Sequence, residues 1–121
     1  MTSDTAKRVS GFLGLCTRAG KLVSGQEACV DAVRRHSVAV VLLDEEASDN
    51  TRKRVSDACK THGVLLYGME EDMIADSTGK EGRKVVAVQN GGMAKKMLAL
   101  LQGEPVLSGS ALPGKADSYT D

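Results

Sequence analysis

The chain has 121 residues, with 16 Lys and Arg against 16 Asp and Glu, so its formal net charge is zero. A composition of 41% hydrophobic and 26% charged residues excludes a disordered or collagen-like chain, and a length near the common domain size favours one hydrophobic core. One Phe, two Tyr and no Trp are too few rings for a protein that stacks single-stranded bases, and no apolar run approaches the roughly 20 residues that cross a bilayer. The N-terminal segment lacks the pattern of a secretion signal, so we expect a cytoplasmic protein with no membrane partner.

The first half of the chain predicts two amphipathic helices and two strands. Apolar residues three and four positions apart favour a helix at 6–19. A short strand at 21–24 leads to a second helix at 25–36. The continuous β-branched and aliphatic run at 38–43 predicts a strand that is buried on both faces.

The second half alternates helix and strand in the same way. Ser48 is placed to cap a third helix, whose apolar residues again recur every three or four positions until Gly63 ends it. A strand, a short helix, a strand and a closing helix follow at 64–67, 70–77, 84–89 and 93–102. This alternation predicts an α/β fold, a three-layer α/β/α sandwich with a mixed sheet of about four strands and helices on both faces.

The domain prediction is a single unit at 1–102 followed by a flexible C-terminal tail at 103–121, which is rich in Gly, Pro, Ser and Ala. Within that tail, 109–116 matches a phosphate-binding loop in every position except the last. There Ala116 stands where the motif needs the Ser or Thr that binds magnesium. We therefore expect no nucleotide cofactor.

The nucleophilic and metal-binding residue types are few and widely spaced. Cys16, Cys29 and Cys59 form no C-x-x-C pair and have no His at metal spacing, which favours small buried core residues over a zinc site or a disulfide framework. His36 and His62 fall near the ends of predicted helices, where an imidazolium favours the carbonyl end of the dipole. No spacing demands a Cys–His nucleophile pair, so we expect no catalytic or metal-binding residues, no cofactor and no enzyme.

Charge is distributed unevenly along this neutral chain. Residues 7–35 and 80–96 each carry a net charge of plus four, whereas 44–49 and 70–76 each hold four acids and no base. Solvated loops and helix starts account for the acids more simply than a metal or acid–base site does. The two basic segments can attract a polyanion although the whole chain is neutral.

The segment at 18–27 combines basic residues with a glycine at the start of a helix. Lys21 precedes Gly25, where free backbone N–H groups and the positive end of the helix dipole attract phosphate. Gln26 and Glu27, in the first turn, are of types that read base edges, since Gln pairs with adenine and Glu accepts from an amino group. An ordinary turn with a glycine hinge explains these residues equally well.

Three blocks of the sequence read LGLCTRAGKLVSG at 13–25, VVLLDEEASDNT at 40–51 and GKEGRKVVAV at 79–88. Together they resemble the superfamily of ribosomal proteins that bind kink-turn RNA, the large-subunit seven-Ae and thirty-e type. Within it, the chain is most similar to the small bacterial YlxQ-type branch. The order and spacing of the blocks carry the resemblance, which spans nearly all of 6–102.

The resemblance implies an α/β/α sandwich that binds structured RNA, ribosomal RNA included, with ribosomal or translation-factor proteins as further partners. It places the RNA surface at 25–27, 45–47 and 80–84. By this resemblance, Gly25 lets the RNA backbone approach closely, and Glu45 accepts a hydrogen bond from an extruded base. The cations implied to meet phosphates are Lys21, Lys80, Arg83 and Lys84.

The second helix departs from the family pattern. Kink-turn binders of the family generally carry an Asn-Glu pair on this helix and a Lys three residues after the Glu. In this chain, the corresponding positions hold Glu27, Ala28 and Asp31. Ala28 offers no side-chain hydrogen bond and Asp31 places an anion near phosphate, so the loss of two base contacts at about 1–3 kcal/mol each weakens kink-turn recognition. The competing hypothesis is a protein-interaction or regulatory module on the same fold that has lost specific kink-turn recognition.

Overall fold

The computed structural model describes residues 1–107, in which five helices alternate with four strands. They are α1 (Ser3–Arg18), β1 (Leu22–Ser24), α2 (Gln26–Arg34), β2 (Val38–Asp44), α3 (Asp49–His62), β3 (Leu65–Met69), α4 (Met73–Thr78), β4 (Val85–Gln89) and α5 (Gly92–Leu100). Each predicted element is present, with bounds that differ by a few residues. The predicted α/β fold, with a mixed four-stranded sheet and helices on both faces, is confirmed.

The sheet has the strand order β1-β4-β2-β3. β2 and β3 are parallel, and β4 is antiparallel to both of its neighbours, β1 and β2. β1, β2 and β3 therefore run in the same direction, and the place where they finish is also the place where β4 begins. We call this the carboxyl end of the sheet, and the opposite one the far end.

Two apolar layers enclose the sheet because side chains alternate along its strands. Val41 and Leu43 of β2 belong to the layer under α2 and α3. Val40 and Leu42 belong to the layer under α1, α4 and α5. All four side chains are fully buried, as the continuous apolar run predicts.

The two ends of α3 follow their predicted signals. The hydroxyl oxygen of Ser48 accepts a hydrogen bond from the backbone N–H of Thr51 at 3.1 Å. Gly63 ends the helix in the left-handed region, with φ 70°. These caps fix where α3 leaves the carboxyl end and where it stops.

Among the described helices, none combines the length and the apolar content that a membrane span needs.

Residues 103–107 pack against the domain, although the sequence predicts a flexible tail from 103 onward. The backbone N–H of Leu107 donates to the carbonyl of Leu66 at 2.7 Å, alongside β3. Val106 packs against the apolar layer that contains α5. These contacts, with an ion pair of 3.3 Å between the N-terminal ammonium and Glu104, hold this part of the chain to the domain. The rest of the predicted tail, including 109–116, lies outside the described residues.

Candidate nucleic-acid interface

The carboxyl end of the sheet gathers the three segments that the resemblance assigns to RNA. The backbone N–H of Gly25, after β1, donates to the carbonyl of Val85 in β4 at 2.9 Å. The backbone N–H of Asp44, at the end of β2, donates to the carbonyl of Lys84 at 2.8 Å. The loops before α2, after β2 and before β4 therefore meet at one end of the molecule.

Gly25 lies against the guanidinium of Arg83. Its backbone has φ 98° and ψ 153°, a combination that residues other than glycine rarely adopt. A Cβ atom added here would lie 2.8 Å from Nη1 of Arg83. The Nε atom of Arg83 is buried and has no hydrogen-bond partner in the described part of the chain. The missing side chain thus makes room for a cationic donor beside the open backbone where α2 begins.

The first turn of α2 is tied to α3 by side chains. Glu27 accepts two hydrogen bonds from the guanidinium of Arg54, at 2.6 and 2.8 Å, and one from Nε2 of Gln26 at 3.0 Å. These bonds, the one from Arg54 foremost, lower the pKa of Glu27 from its ordinary 4.5 to about 2. Oε1 of Gln26 accepts a further hydrogen bond from the hydroxyl of Thr51 at 2.7 Å. Both predicted base readers therefore already have protein partners.

Asp44 is a fully buried carboxylate at the end of β2. Its oxygens accept hydrogen bonds from the backbone N–H groups of Glu46 at 2.7 Å and Asp72 at 2.9 Å, and Nζ of Lys84 lies 3.5 Å away. The prediction of a solvated acidic loop is therefore wrong for Asp44, which is buried. Its charge is tolerated there because these hydrogen bonds and the lysine replace the water that the carboxylate loses. Lys84, implied to meet phosphates, has its ammonium committed to Asp44 and, at 4.0 Å, to Asp72.

Two further predicted contacts are exposed at this end. The backbone of Glu45 is held in place, since its N–H donates to the carbonyl of Met69 at 2.8 Å and its own carbonyl accepts from Arg52. Its side chain reaches solvent. Lys80 is also exposed. The carboxyl end thus exposes Glu45 and Lys80 together with further acids, among them Glu46, Glu70 and Glu81.

Lys21 lies at the far end of the sheet, away from the other predicted residues. Its carbonyl accepts a hydrogen bond from the backbone N–H of Gln89, the last residue of β4, at 2.9 Å. It lines a cavity of about 440 Å³ with Phe12, Asn90 and Lys96. The resemblance groups Lys21 with the other phosphate-binding cations. In the structure, however, Lys21 precedes β1 and Gly25 follows it, so the two lie at opposite ends of that strand.

The positions that depart from the family pattern lie on the exposed surface of α2. Asp31 forms an ion pair with Arg35, one helical turn further along. Ala28 is exposed and adds no polar group. Where the resemblance leads us to expect a lysine, α2 therefore presents an anion that is paired with a cation.

The cysteines belong to the packing of the domain, whereas the two histidines contact each other near its surface. Cys16, Cys29 and Cys59 are free thiols and buried, as predicted, and burial raises the pKa of both Cys29 and Cys59 to about 12. The rings of His36 and His62 meet edge to face, with centroids 5.4 Å apart, just beyond α2 and at the end of α3. Residues 1–107 contain no group of three side chains that could hold a metal ion.

The sequence prediction missed three side chains that shape the carboxyl end. Arg54 and Thr51 hold the first turn of α2, and Asp44 holds Lys84. A signal for the first two exists, because a helix that directly follows β2 starts at the same end of the sheet as α2. The burial of Asp44 has no such signal, since two exposed acids follow it in the sequence.

Comparison with known proteins finds relatives of nearly the whole domain. The chain is 42% identical over 91 residues to a Bacillus subtilis protein named RNA-binding protein YlxQ. The aligned region covers 74% of this chain and 91% of that relative. It is 32% identical over 104 residues to an Enterococcus faecium protein of the same name, covering 85% of this chain and 100% of the relative. No protein-family model matches the chain. Both relatives are named for RNA binding and not for a reaction, in agreement with the prediction that the chain is not an enzyme.

Solved structures share the fold. A protein with unknown function from Bacillus halodurans superposes with a TM-score of 0.72 at 31% identity, covering 77% of this chain and 95% of that chain. A 15.5kD RNA binding protein from Giardia lamblia superposes with a TM-score of 0.67 at 12% identity, covering 82% and 85%. At so low an identity the second similarity is one of fold alone.

Proposed function

The chain belongs to the YlxQ family of RNA-binding proteins, and from this premise we propose that it binds structured RNA at the carboxyl end of the sheet without catalysing a reaction. The observation that carries the proposal is the guanidinium of Arg83, which lies beside the open backbone at Gly25 and keeps a buried Nε without a partner. An RNA phosphate at this place pairs with that guanidinium and with the free N–H groups of the first turn of α2.

Charge reversal at Arg83 and Lys80 tests the proposal. Arg83→Glu and Lys80→Glu are each expected to weaken binding by about tenfold or more, because a charge-assisted hydrogen bond contributes about 1.5–3 kcal/mol. Each variant also lowers the slope of log affinity against log salt by about 1. Fluorescence anisotropy with a kink-turn hairpin and with ribosomal RNA fragments, at several salt concentrations, measures both quantities.

The matched control for these variants is Lys95→Glu. Lys95 is exposed in the first turn of α5, at the far end of the sheet, and its reversal changes the net charge equally. Lys84→Glu is a poor choice, since it sets a second carboxylate beside the buried Asp44. Unchanged affinity in both Arg83→Glu and Lys80→Glu removes the carboxyl end as the RNA surface.

A second candidate function is a protein-interaction or regulatory module that has lost kink-turn recognition. It is supported by the first turn of α2, where Glu27 and Gln26 are engaged by Arg54 and Thr51 and are not free to read bases. Saturable RNA binding at physiological salt rules this candidate out. A hairpin whose tandem G·A pairs are replaced by Watson–Crick pairs isolates the specificity, because equal affinity for both hairpins means binding directed at the backbone alone.

The proposal extends to ribosomal RNA as the target and to action beside the translation machinery in the cytoplasm. Co-sedimentation of the chain with ribosomal subunits on a sucrose gradient tests this extension. The wild-type chain is expected to sediment with subunits and Arg83→Glu to remain at the top of the gradient. Equal distribution of the two proteins contradicts it.

A further inference from the structure

A basic groove lies between α2 and α3, on the face of the sheet that these helices cover. It has a volume of about 380 Å³. Apart from Ala58, every side chain that lines it is polar or charged, and the charged or titratable ones are Arg34, Lys53, Arg54, Asp57 and His62. We call it the α2–α3 groove. Its lining includes no large aliphatic side chain and no Phe, Tyr or Trp, so it does not offer the buried anchors by which proteins usually bind one another.

The α2–α3 groove carries an excess of positive charge. Three of its side chains are permanent cations, and two acids pair with them: Asp57, which lines the groove, and Glu27, which binds Arg54 at 2.6 Å. Asp57 pairs with Lys53 at 3.3 Å, but both side chains are largely exposed, and such pairs contribute little and exchange readily. Arg34, in the last turn of α2, is exposed and forms no hydrogen bond or ion pair with the residues that the structure describes. An anionic partner therefore finds Arg34 outside any ion pair of the described residues and Lys53 in a pair that exchanges readily, whereas Arg54 stays with Glu27.

The groove is continuous with the carboxyl end of the sheet. Arg54 lines it and at the same time binds Glu27 in the first turn of α2. Both helices start at the carboxyl end, so the groove leads from there toward the far end. From Glu27 to Arg34 the rise along α2 is about 10 Å, which is two helical turns. A strand that leaves the start of α2 can follow this path.

We propose that the α2–α3 groove holds the phosphate backbone of the same RNA, in the stem beyond the part that meets Gly25 and Arg83. The inference rests on the proposed function and adds to it a second contact surface, with Arg34 and Lys53 as the phosphate-binding residues. RNA is favoured over an acidic peptide because the groove joins the proposed RNA surface and lacks apolar anchor sites.

The test compares two RNAs and two double variants. The RNAs are a short kink-turn hairpin and the same hairpin with both stems lengthened. The groove variant is Arg34→Glu with Lys53→Glu. The control variant is Arg18→Glu with Lys95→Glu, two exposed residues near the far end, on α1 and α5, with the same change in charge. Circular dichroism melting first establishes that both proteins are folded.

We expect the groove variant to bind the long-stem RNA about tenfold or more weakly, with a salt slope lower by about 2, and to bind the short hairpin as the wild type does. The control variant binds both RNAs as the wild type does. Equal affinity of the groove variant and the wild type for long-stem RNA overturns the inference. So does a loss that the control variant shares, or groove-dependent binding of polyglutamate with RNA binding unaffected.

Failure of this inference is separable from failure of the proposed function. If the wild-type chain binds the short hairpin and Arg83→Glu abolishes that binding, an absent groove effect refutes the groove alone. If the wild-type chain binds neither RNA, the proposed function is refuted and the groove contact with it.

Discussion

Gly25→Ala separates the stability of the domain from the function of its carboxyl end. The backbone at Gly25 has φ 98° and ψ 153°, and holding an alanine there costs about 1–3 kcal/mol of the free energy of unfolding. The new Cβ also falls 2.8 Å from Nη1 of Arg83. Because this is the tip of a flexible side chain, the guanidinium moves aside at little cost in stability. It then no longer lies beside the start of α2.

We therefore expect Gly25→Ala to remain folded but to bind RNA about tenfold more weakly, since it loses one charge-assisted contact. The control is Gly20→Ala, at the far end, where φ is 69° but no atom lies within 4 Å of the added Cβ. It costs a similar amount, about 1–2 kcal/mol, through the backbone alone. Urea unfolding compares stabilities and anisotropy titration compares affinities. If both alanine variants bind RNA with equal affinity, the role assigned to Gly25 and Arg83 is refuted.

Three further predictions concern single groups. Asp44→Ala is expected to lower the free energy of unfolding by about 3 kcal/mol, because two backbone N–H groups lose a charged acceptor at about 1.5–3 kcal/mol each. Asp44→Asn keeps an acceptor oxygen and is expected to lose less in the same urea titration. The pKa of Glu27 is lowered to about 2, so in the folded protein its carboxylate stays ionised and paired with Arg54 until the pH approaches 2, and the carboxyl carbon shift in NMR measures this titration. The stability that the pair contributes is fully present above pH 4.5 and is lost as the pH falls through about 2. Titration of Glu27 near 4.5 contradicts the pair. Burial raises the pKa of the Cys29 and Cys59 thiols to about 12, so a thiol reagent at neutral pH modifies them only at the rate of unfolding; rapid labelling of the native protein contradicts this.

The sequence predicts the elements of the fold because each has a local cause. Every residue at 38–43 is apolar, which predicts a strand that is covered on both faces of the sheet. In the structure this run forms the central strand β2. Ser48 and Gly63 bound α3 by hydrogen bonding and by backbone freedom, which are properties of single residues. Such signals need no knowledge of what lies across the sheet.

The arrangement of the candidate site depends instead on contacts between distant parts of the chain. The pairing of Glu27 with Arg54 needs the relative position of α2 and α3, which no local pattern encodes. Lys84 follows another basic residue in the sequence, and its ammonium is engaged only because the buried Asp44 lies opposite it, at the end of β2. Lys21 is near Gly25 in sequence, but an extended strand places the two at opposite ends of the sheet.

The position of β4 sets the order in which the molecule can assemble. β4 is the last of the described strands to leave the ribosome during synthesis, but it lies between β1 and β2 and is the only one of them that pairs with β1. Until it arrives, β1 has no neighbour and Arg83 has no Gly25 to lie against. A nascent chain that is released before β4 is made therefore has α1 to α4 and the paired strands β2 and β3, but no complete carboxyl end. The affinity for RNA, measured on chains of increasing length, therefore reports when β4 has paired with β1 and β2 and the sheet is complete.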